Sequence, residues 1–555
     1  MTVASPHYFR SEWIEPNAES VSVDACVYGA TAAGVVAAVK LARLGHDVVL
    51  LNPGDHVGGM TTGGLGWTDE GDPAALGGMA RRFYRDVAEV YRELERLPAD
   101  DATEAVWRFE PSVAARVLRR WLDEAGIVVR VRQFLDHVEV EHGTLERLIM
   151  RGGLKVSARV FIDATYEGDL LAAADVPYAV GRESNDRYGE TLNGVQVREK
   201  HQFVPPGIDP FVVAGDRDSG LLPGVEASDL SGHVGRGDGK VQAYNFRVCM
   251  TNDPALKIAW REPPGYDPTA YELAARWFER DQSDAFNGPL PPRRWPHDPP
   301  RLRKYDLLTV PTADGYHKTD SNNHGPISSD LIGGGLYWAE ADYAQREAIF
   351  QSHVRYQLGL YWMLASDPRI PQRIRDAHNH WGLAVDEFAD TNHWPPQLYV
   401  REARRMRSEV MLTEHHCLGR AAVDDPVAMG SYALDSHNCS RFVTEHGSRW
   451  GVMNEGNVEA PTPEPYGVSY RMITPPRDAV GNLLVPVCLS ATHIAFGSVR
   501  MEPVFMALSE SAAIAASLAV ESGCRVQDLP YPALAEELDR AGQVVNRCGD
   551  VMPTP

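Results

Sequence analysis

One stretch near the start of the chain restricts its fold more than any other. Val23-Asp24-Ala25-Cys26-Val27-Tyr28 has the apolar, β-branched character of a short buried strand, and Gly29-Ala30-Thr31-Ala32-Ala33-Gly34 is a turn of small residues. An apolar helix is expected from Ala33 to Leu44, Gly45 stops it, and a second strand runs through Asp47-Val48-Val49-Leu50-Leu51. The result is a βαβ unit. Its helix points free N–H groups and the positive end of its dipole at the turn, which makes a site for a pyrophosphate. A nucleotide cofactor is the natural occupant, so the chain reads as an enzyme.

The glycine fingerprint is imperfect. In G-x-G-x-x-G the second glycine lets the phosphates approach closely, and Thr31 stands in its place. The acidic residue expected after the second strand, to hold the ribose hydroxyls, is Asn52, which hydrogen-bonds a hydroxyl more weakly than a carboxylate does. Past that strand, Gly58-Gly59-Met60-Thr61-Thr62-Gly63-Gly64 places six glycines or threonines in seven positions, the mark of a backbone passing close to something flat or charged. Val160-Phe161-Ile162-Asp163-Ala164-Thr165 reads as a strand ending in a small-residue turn. At the far end Asn482–Val487 reads as a strand, Ser490-Ala491-Thr492-His493 follows, and a long apolar helix is expected from Val504 to about Val520.

Together these motifs resemble the FAD-dependent oxidoreductases related to the succinate dehydrogenase and glucose-inhibited-division flavoproteins, in the branch often labelled xanthan-lyase-like. The resemblance rests on Gly29–Gly34, Gly58-Gly59-Met60, Asp163–Asp169, Lys318–Asn323, Leu398–Arg405, Asp435-Ser436-His437 and Ser490–Pro503, in that order along nearly the whole chain. It implies an α/β fold: a Rossmann-type FAD-binding domain of the two-dinucleotide-binding type, with an inserted mixed α+β substrate domain. It implies FAD as cofactor, bound by Gly29, Ala30, Thr31, Ala32, Ala33, Gly34, Asn52, Gly58, Gly59, Met60, Thr61, Ala164, Thr165 and Glu502. The last long helix departs from the family's Gly-Gln-Ala-Ala-Gly opening, with Ser509 and Ala513 where glycines are usual.

Size and composition fit a large enzyme. A chain of 555 residues is long for one core. The FAD domain is expected over 20–190, the substrate domain over 191–469, a C-terminal return of the FAD domain over 470–525, and a helix and tail over 526–555. The Gly/Asp-rich run 214–240 and the Pro-rich run 289–300 read as outer loops. Helices are expected from Trp338 to Ala365, from Pro396 to about Thr413, and from Tyr531 to Ala541. A net charge of −22 without a basic block argues against nucleic acid or an anionic membrane as partner. No apolar run suggests a membrane span. Seven scattered cysteines, none in C-x-x-C, argue against a metal or dithiol site and for a reducing cytoplasm. A small-molecule substrate is the expected partner; oligomeric state is not legible.

Chemistry is expected where the substrate domain meets the flavin. The resemblance puts His493 and Arg500 in the segment passing the reactive face of a flavin. Histidine suits the base that removes a substrate proton; arginine suits a carboxylate, an oxyanion or the reduced flavin's charge. Arg500 and Glu502 could instead pair with each other. His437, two residues after Asp435, is a second candidate base. Lys318, Asp320 and Asn322 alternate along one face of an extended segment and either bind a polyhydroxylated substrate or stitch loops together. Arg401, Glu402, Arg404 and Arg405 are expected on a helix as buried ion-pair scaffolding. Tyr244, Trp338, Tyr361 and Trp362 suit a sugar platform or plain core. Three readings compete: hydride transfer from a small polar, sugar-like or carboxylated substrate to flavin N5; an oxidase or monooxygenase using oxygen; and a non-redox lyase or binding protein on the same fold.

Overall fold

The computed structural model describes residues 6–203, 207–280, 301–446 and 449–546. The Pro-rich run 289–300 and Cys548 lie outside them. Strands Ser20–Tyr28 (β1), Val48–Leu51 (β2), Val129–Arg130 (β3), Leu135–Glu141 (β4), Thr144–Met150 (β5) and Lys155–Asp163 (β6) form one sheet in the order β3-β2-β1-β6-β5-β4. β1 pairs parallel with β2 and β6, and β2 with β3, whereas β4, β5 and β6 pair antiparallel. Ala25–Tyr28 is buried throughout, as a strand covered on both faces requires. The short strand Leu483–Leu484 pairs parallel with β6, placing Leu483 beside Phe161. Residues from the far end of the chain therefore complete the sheet that β1 begins.

The crossover helix Ala32–Arg43 (α1) packs against the long helix Glu502–Ser522, and Lys40 Nζ reaches Glu510 Oε1 at 2.9 Å. The latter helix corrects one expectation. By length and composition it could cross a membrane, but 94% of its apolar window is buried inside the protein, as in a core helix. Ser509 and Ala513 sit fully buried within it. A short helix Gly59–Thr62 (α2) follows β2; the amphipathic helices Gly78–Glu93 (α3) and Pro111–Glu124 (α4) fill the connection to β3.

A second, antiparallel sheet of five strands has the order Tyr305–Leu307, Lys318–Ser321, Val248–Thr251, Gly382–Ala384, Lys257–Ile258. Here Lys318 and Asp320 stitch the fold. Lys318 Nζ lies 2.7 Å from Glu110 and Asp386 and 3.3 Å from Glu387. Asp320 takes Arg247 through both oxygens at 2.8 and 2.7 Å, and the N–H groups of Gly66 and Trp67 as well. Removing one partner of a buried pair of this kind costs about 3–5 kcal/mol. Tyr244, Trp338 and Tyr361 are fully buried core, not a platform.

Two expected helices differ. The helix expected at Trp338 starts at Tyr343, where Asp342 and Gln345 form a capping box, and ends at Ser366. Residues 396–413 form no helix over their length. They run extended and irregular, with Arg405–Met406 pairing against Tyr178–Ala179. The ionic partners of this segment lie on different sides. Arg401 pairs with Asp330, Arg404 with Asp169 and Glu340, and Arg405 with Glu183, directions that one helix face does not offer. The scaffolding role stands; the helix does not.

Candidate functional site

The glycine turn opens one wall of a cavity of about 400 Å³, lined by Gly29, Ala30, Thr31, Asn52, Gly59 and Thr165 among the expected residues. Gly29 has φ +99°, and a Cβ there would meet Ala164 C and Thr165 N at 2.8 Å. A Cβ on Gly34 would lie 1.9 Å from Gly29 O, so the helix can approach the turn only without one. Thr31, in place of the second glycine, caps α1: its hydroxyl accepts from Gly34 N–H at 3.1 Å and donates to Ala164 O at 2.9 Å. Val35 N–H bonds Thr31 O, so the opening N–H groups of α1, those of Ala32 and Ala33, precede its intrahelical ladder. This small-residue cradle with a helix N-terminus fits a dinucleotide's pyrophosphate.

Asn52, on the cavity wall, directs its amide to the backbone: Oδ1 accepts Ala30 N–H, and Nδ2 donates to Gly54 O and His56 O. Both amide protons are committed to shaping the turn, leaving a single Oδ1 lone pair for a ribose hydroxyl. Ala32, Ala33, Gly34, Gly58, Met60, Thr61 and Ala164 are buried and do not line this cavity. Thr61 Oγ1 donates to Glu502 Oε2 at 2.6 Å, and Tyr166 OH to Glu502 Oε1 at 2.8 Å, while Met60 N–H donates to Tyr166 OH. Burial pushes the Glu502 carboxyl up to about 7. Glu502 thus ties the Gly58–Thr62 loop to Tyr166 and does not pair with Arg500. Among the cavity residues that the sequence reading did not single out are His56, whose burial lowers its pKa to about 4, and Gln397.

Glu167 makes the cavity pH-sensitive. Burial raises its pKa to about 7, with Arg346 pulling down and Asp169 pushing up. The rise brings its ionisation toward neutral pH, where the anion faces a site for an anionic pyrophosphate. FAD affinity is therefore expected to be higher at pH 6 than at pH 8, and Glu167→Gln to remove the difference, as titration of apoprotein at both pH values would show.

A second cavity, of about 290 Å³, is walled by charged and hydrogen-bonding side chains, including His437, Arg500, Asp435, Tyr399, Asn322 and Asn457. His437 Nδ1 lies 2.7 Å from Asp330 Oδ2, and Nε2 lies 3.4 Å from Asp435 Oδ2. Burial would raise the Asp330 carboxyl, but Arg401 and His437 hold it below its ordinary value. Asp435 is held well below the carboxylate range by His437 and Arg500 against the same burial. Arg500 donates to Tyr399 OH at 2.8 Å and to Asp435 at 2.9 Å, and its buried Nε has no hydrogen-bond partner among the described residues. Burial pushes Asp306 on another wall up to about 6. A small third cavity shares residues with both: Tyr166 lines the first and third, Tyr399 and Arg500 the third and second.

His493 lies elsewhere. It begins the helix His493–Val499, is 2% exposed, and does not line the second cavity. Its Nδ1 meets Glu402 at 2.8 Å and its Nε2 meets Ser436 Oγ at 3.1 Å, so both ring nitrogens are occupied. Among the described residues no cluster of His, Cys, Asp and Glu could hold a metal ion.

The model of a family described as FAD dependent oxidoreductase matches residues 24–538. The chain belongs to that family. It is an FAD-dependent oxidoreductase, FAD is its cofactor, and its parallel α/β sheet is consistent with a Rossmann-like FAD domain. Comparison with curated proteins gives no match. Among solved structures it is similar to OTEMO in complex with FAD and NADP, at 16% identity over 27% of this chain and 26% of that one, TM-score 0.20. THI4 of Thermovibrio ammonificans is 16% identical over 29% of this chain and 66% of that one, TM-score 0.21. The L-amino acid deaminase of Proteus vulgaris is 13% identical over 31% and 55%, TM-score 0.22. The likeness spans about a quarter of the OTEMO chain's length, and at these TM-scores none of the three carries an argument.

Proposed function

We propose that this oxidoreductase acts on a small polar, sugar-like or carboxylated substrate held in the second cavity, with His437 as its catalytic base. The observation that carries the reading is the His437–Asp330 contact at the wall of a polar cavity. Donation from Nδ1–H to Asp330 orients the ring, and Nε2, beside Asp435 at 3.4 Å, is the nitrogen that takes a substrate proton. Asp435 at 3.4 Å then stabilises the imidazolium. Arg500, tied to Tyr399 and Asp435 but with Nε unpartnered, is placed to hold a carboxylate or a developing oxyanion. Asn322, Asn457 and Tyr399 supply hydrogen bonds suited to hydroxyl groups, in keeping with a sugar-like substrate and with the xanthan-lyase-like branch. Residues 191–469 would serve as the inserted substrate domain. FAD, when bound along the glycine turn, supplies a hydride acceptor at N5.

The test is anaerobic addition of aldoses, sugar acids, polyols and hydroxy acids to the purified holoenzyme, following loss of the oxidised flavin absorbance. At least one of these classes is expected to bleach the flavin. If none does while dithionite does, the substrate assignment fails. Reoxidation on admitting air would identify oxygen as the acceptor.

A further inference from the structure

The first cavity has a wall that the nucleotide-binding fold does not supply. His7, Tyr8, Arg10 and Trp13 line the cavity together with the glycine turn. They precede β1 and lie outside residues 24–538 that match the family. The segment is firmly anchored. Glu347, on the helix Tyr343–Ser366, accepts from Tyr8 N–H at 2.7 Å and Phe9 N–H at 3.0 Å, and its other oxygen lies 2.6 Å from His7 Nδ1. Phe9 packs edge-on to Phe134 at 4.9 Å, and Tyr8 edge-on to Trp338 at 4.8 Å.

Trp13 lines the cavity with Asp55 and Arg132, which follow the C-terminal ends of β2 and β3 in the chain. In a βαβ nucleotide site the chain leaves the pyrophosphate at α1 and meets the ribose and base beyond the second strand. The Arg132 guanidinium lies 5.2 Å from the Trp13 ring centroid, and Asp55 fixes it at 2.6 and 3.1 Å. Arg132 is held at φ +59°, a left-handed conformation that costs energy in a non-glycine residue and recurs at binding sites.

We infer that His7–Trp13 form the outer wall of the dinucleotide cavity and that Trp13, backed by Arg132, stacks on the adenine of FAD. The inference rests on this cavity being the FAD site. Stacking of a base on an aromatic side chain is sequence-tolerant and needs only a fixed π-face, which Trp13 provides. Arg132 then works from behind, as a cation over the indole.

The test compares apoprotein of the full chain and Trp13→Ala, titrated calorimetrically with FAD, ADP and FMN. FAD and ADP are expected to bind the variant about tenfold more weakly, ~1.4 kcal/mol, while FMN, which lacks adenine, keeps the parent's affinity. Trp13→Phe should restore most of the loss. Glu347→Gln, which loosens the segment away from the cavity, should show the same split between FAD and FMN and serves if Trp13→Ala melts early. Unchanged FAD and ADP affinities, or an equal loss for FMN, would overturn the inference. A failure of the cavity itself reads out separately, as flavin retained by a variant of Gly34.

Discussion

Gly34→Val is expected to purify without flavin. The first atom of any side chain at this position would lie 1.9 Å from Gly29 O, a backbone atom that cannot rotate away. Nor can the turn retreat, because Gly29 already packs so closely on the end of β6 that a Cβ there would lie 2.8 Å from Ala164 C and Thr165 N. Helix α1 must therefore separate from the turn, and the N–H groups that face the pyrophosphate leave with it. The check is the absorbance spectrum of the purified variant, with free flavin assayed in the supernatant after denaturation. Gly45→Ala is the control. Gly45 has φ +92°, but a Cβ there meets nothing within 4 Å, so the cost is backbone strain of about 1–2 kcal/mol and flavin should stay. A full complement of FAD in Gly34→Val would place the phosphates elsewhere.

His437→Ala is expected to keep FAD and slow substrate-dependent flavin reduction by about two to four orders of magnitude, the usual size of a general-base contribution. The measurement is stopped-flow reduction with whichever compound class bleaches the parent. His493→Ala separates position from residue type. His493 bridges Glu402 and Ser436 inside the protein, so its loss strands a buried carboxylate and should lower the melting temperature first. A normal rate in His437→Ala beside a collapsed one in a folded, flavin-replete His493→Ala would move the base to His493.

Much of the nucleotide half was legible because its constraints are local. A buried parallel strand must be apolar throughout, a tight βα turn must be built of small residues, and a helix ends where glycine allows positive φ; each is written in consecutive residues. Thus α1, expected from Ala33 to Leu44, spans Ala32–Arg43, and the last long helix, expected at Val504 to Val520, spans Glu502–Ser522. Residues 396–413 misled for the converse reason. Arg401, Arg404 and Arg405 fall at helical spacing, but their partners Asp330, Asp169 and Glu183 come from remote segments whose directions no periodicity records.

Asn52 and the two histidines draw the same line within the site. The sequence by itself determined that a glycine turn, a helix N-terminus and a returning C-terminal strand would assemble a dinucleotide fold. It also supplied His493 as the first candidate base and His437 as the second. Tertiary structure alone decided that Asn52 turns its amide to the backbone, that Trp13 reaches the cavity from before the first strand, and that His437 faces a polar cavity while His493 is enclosed. Backbone conformation depends on near neighbours along the chain. The hydrogen-bond partners and solvent access that set a side chain's chemistry depend on residues hundreds of positions away, brought close only by folding.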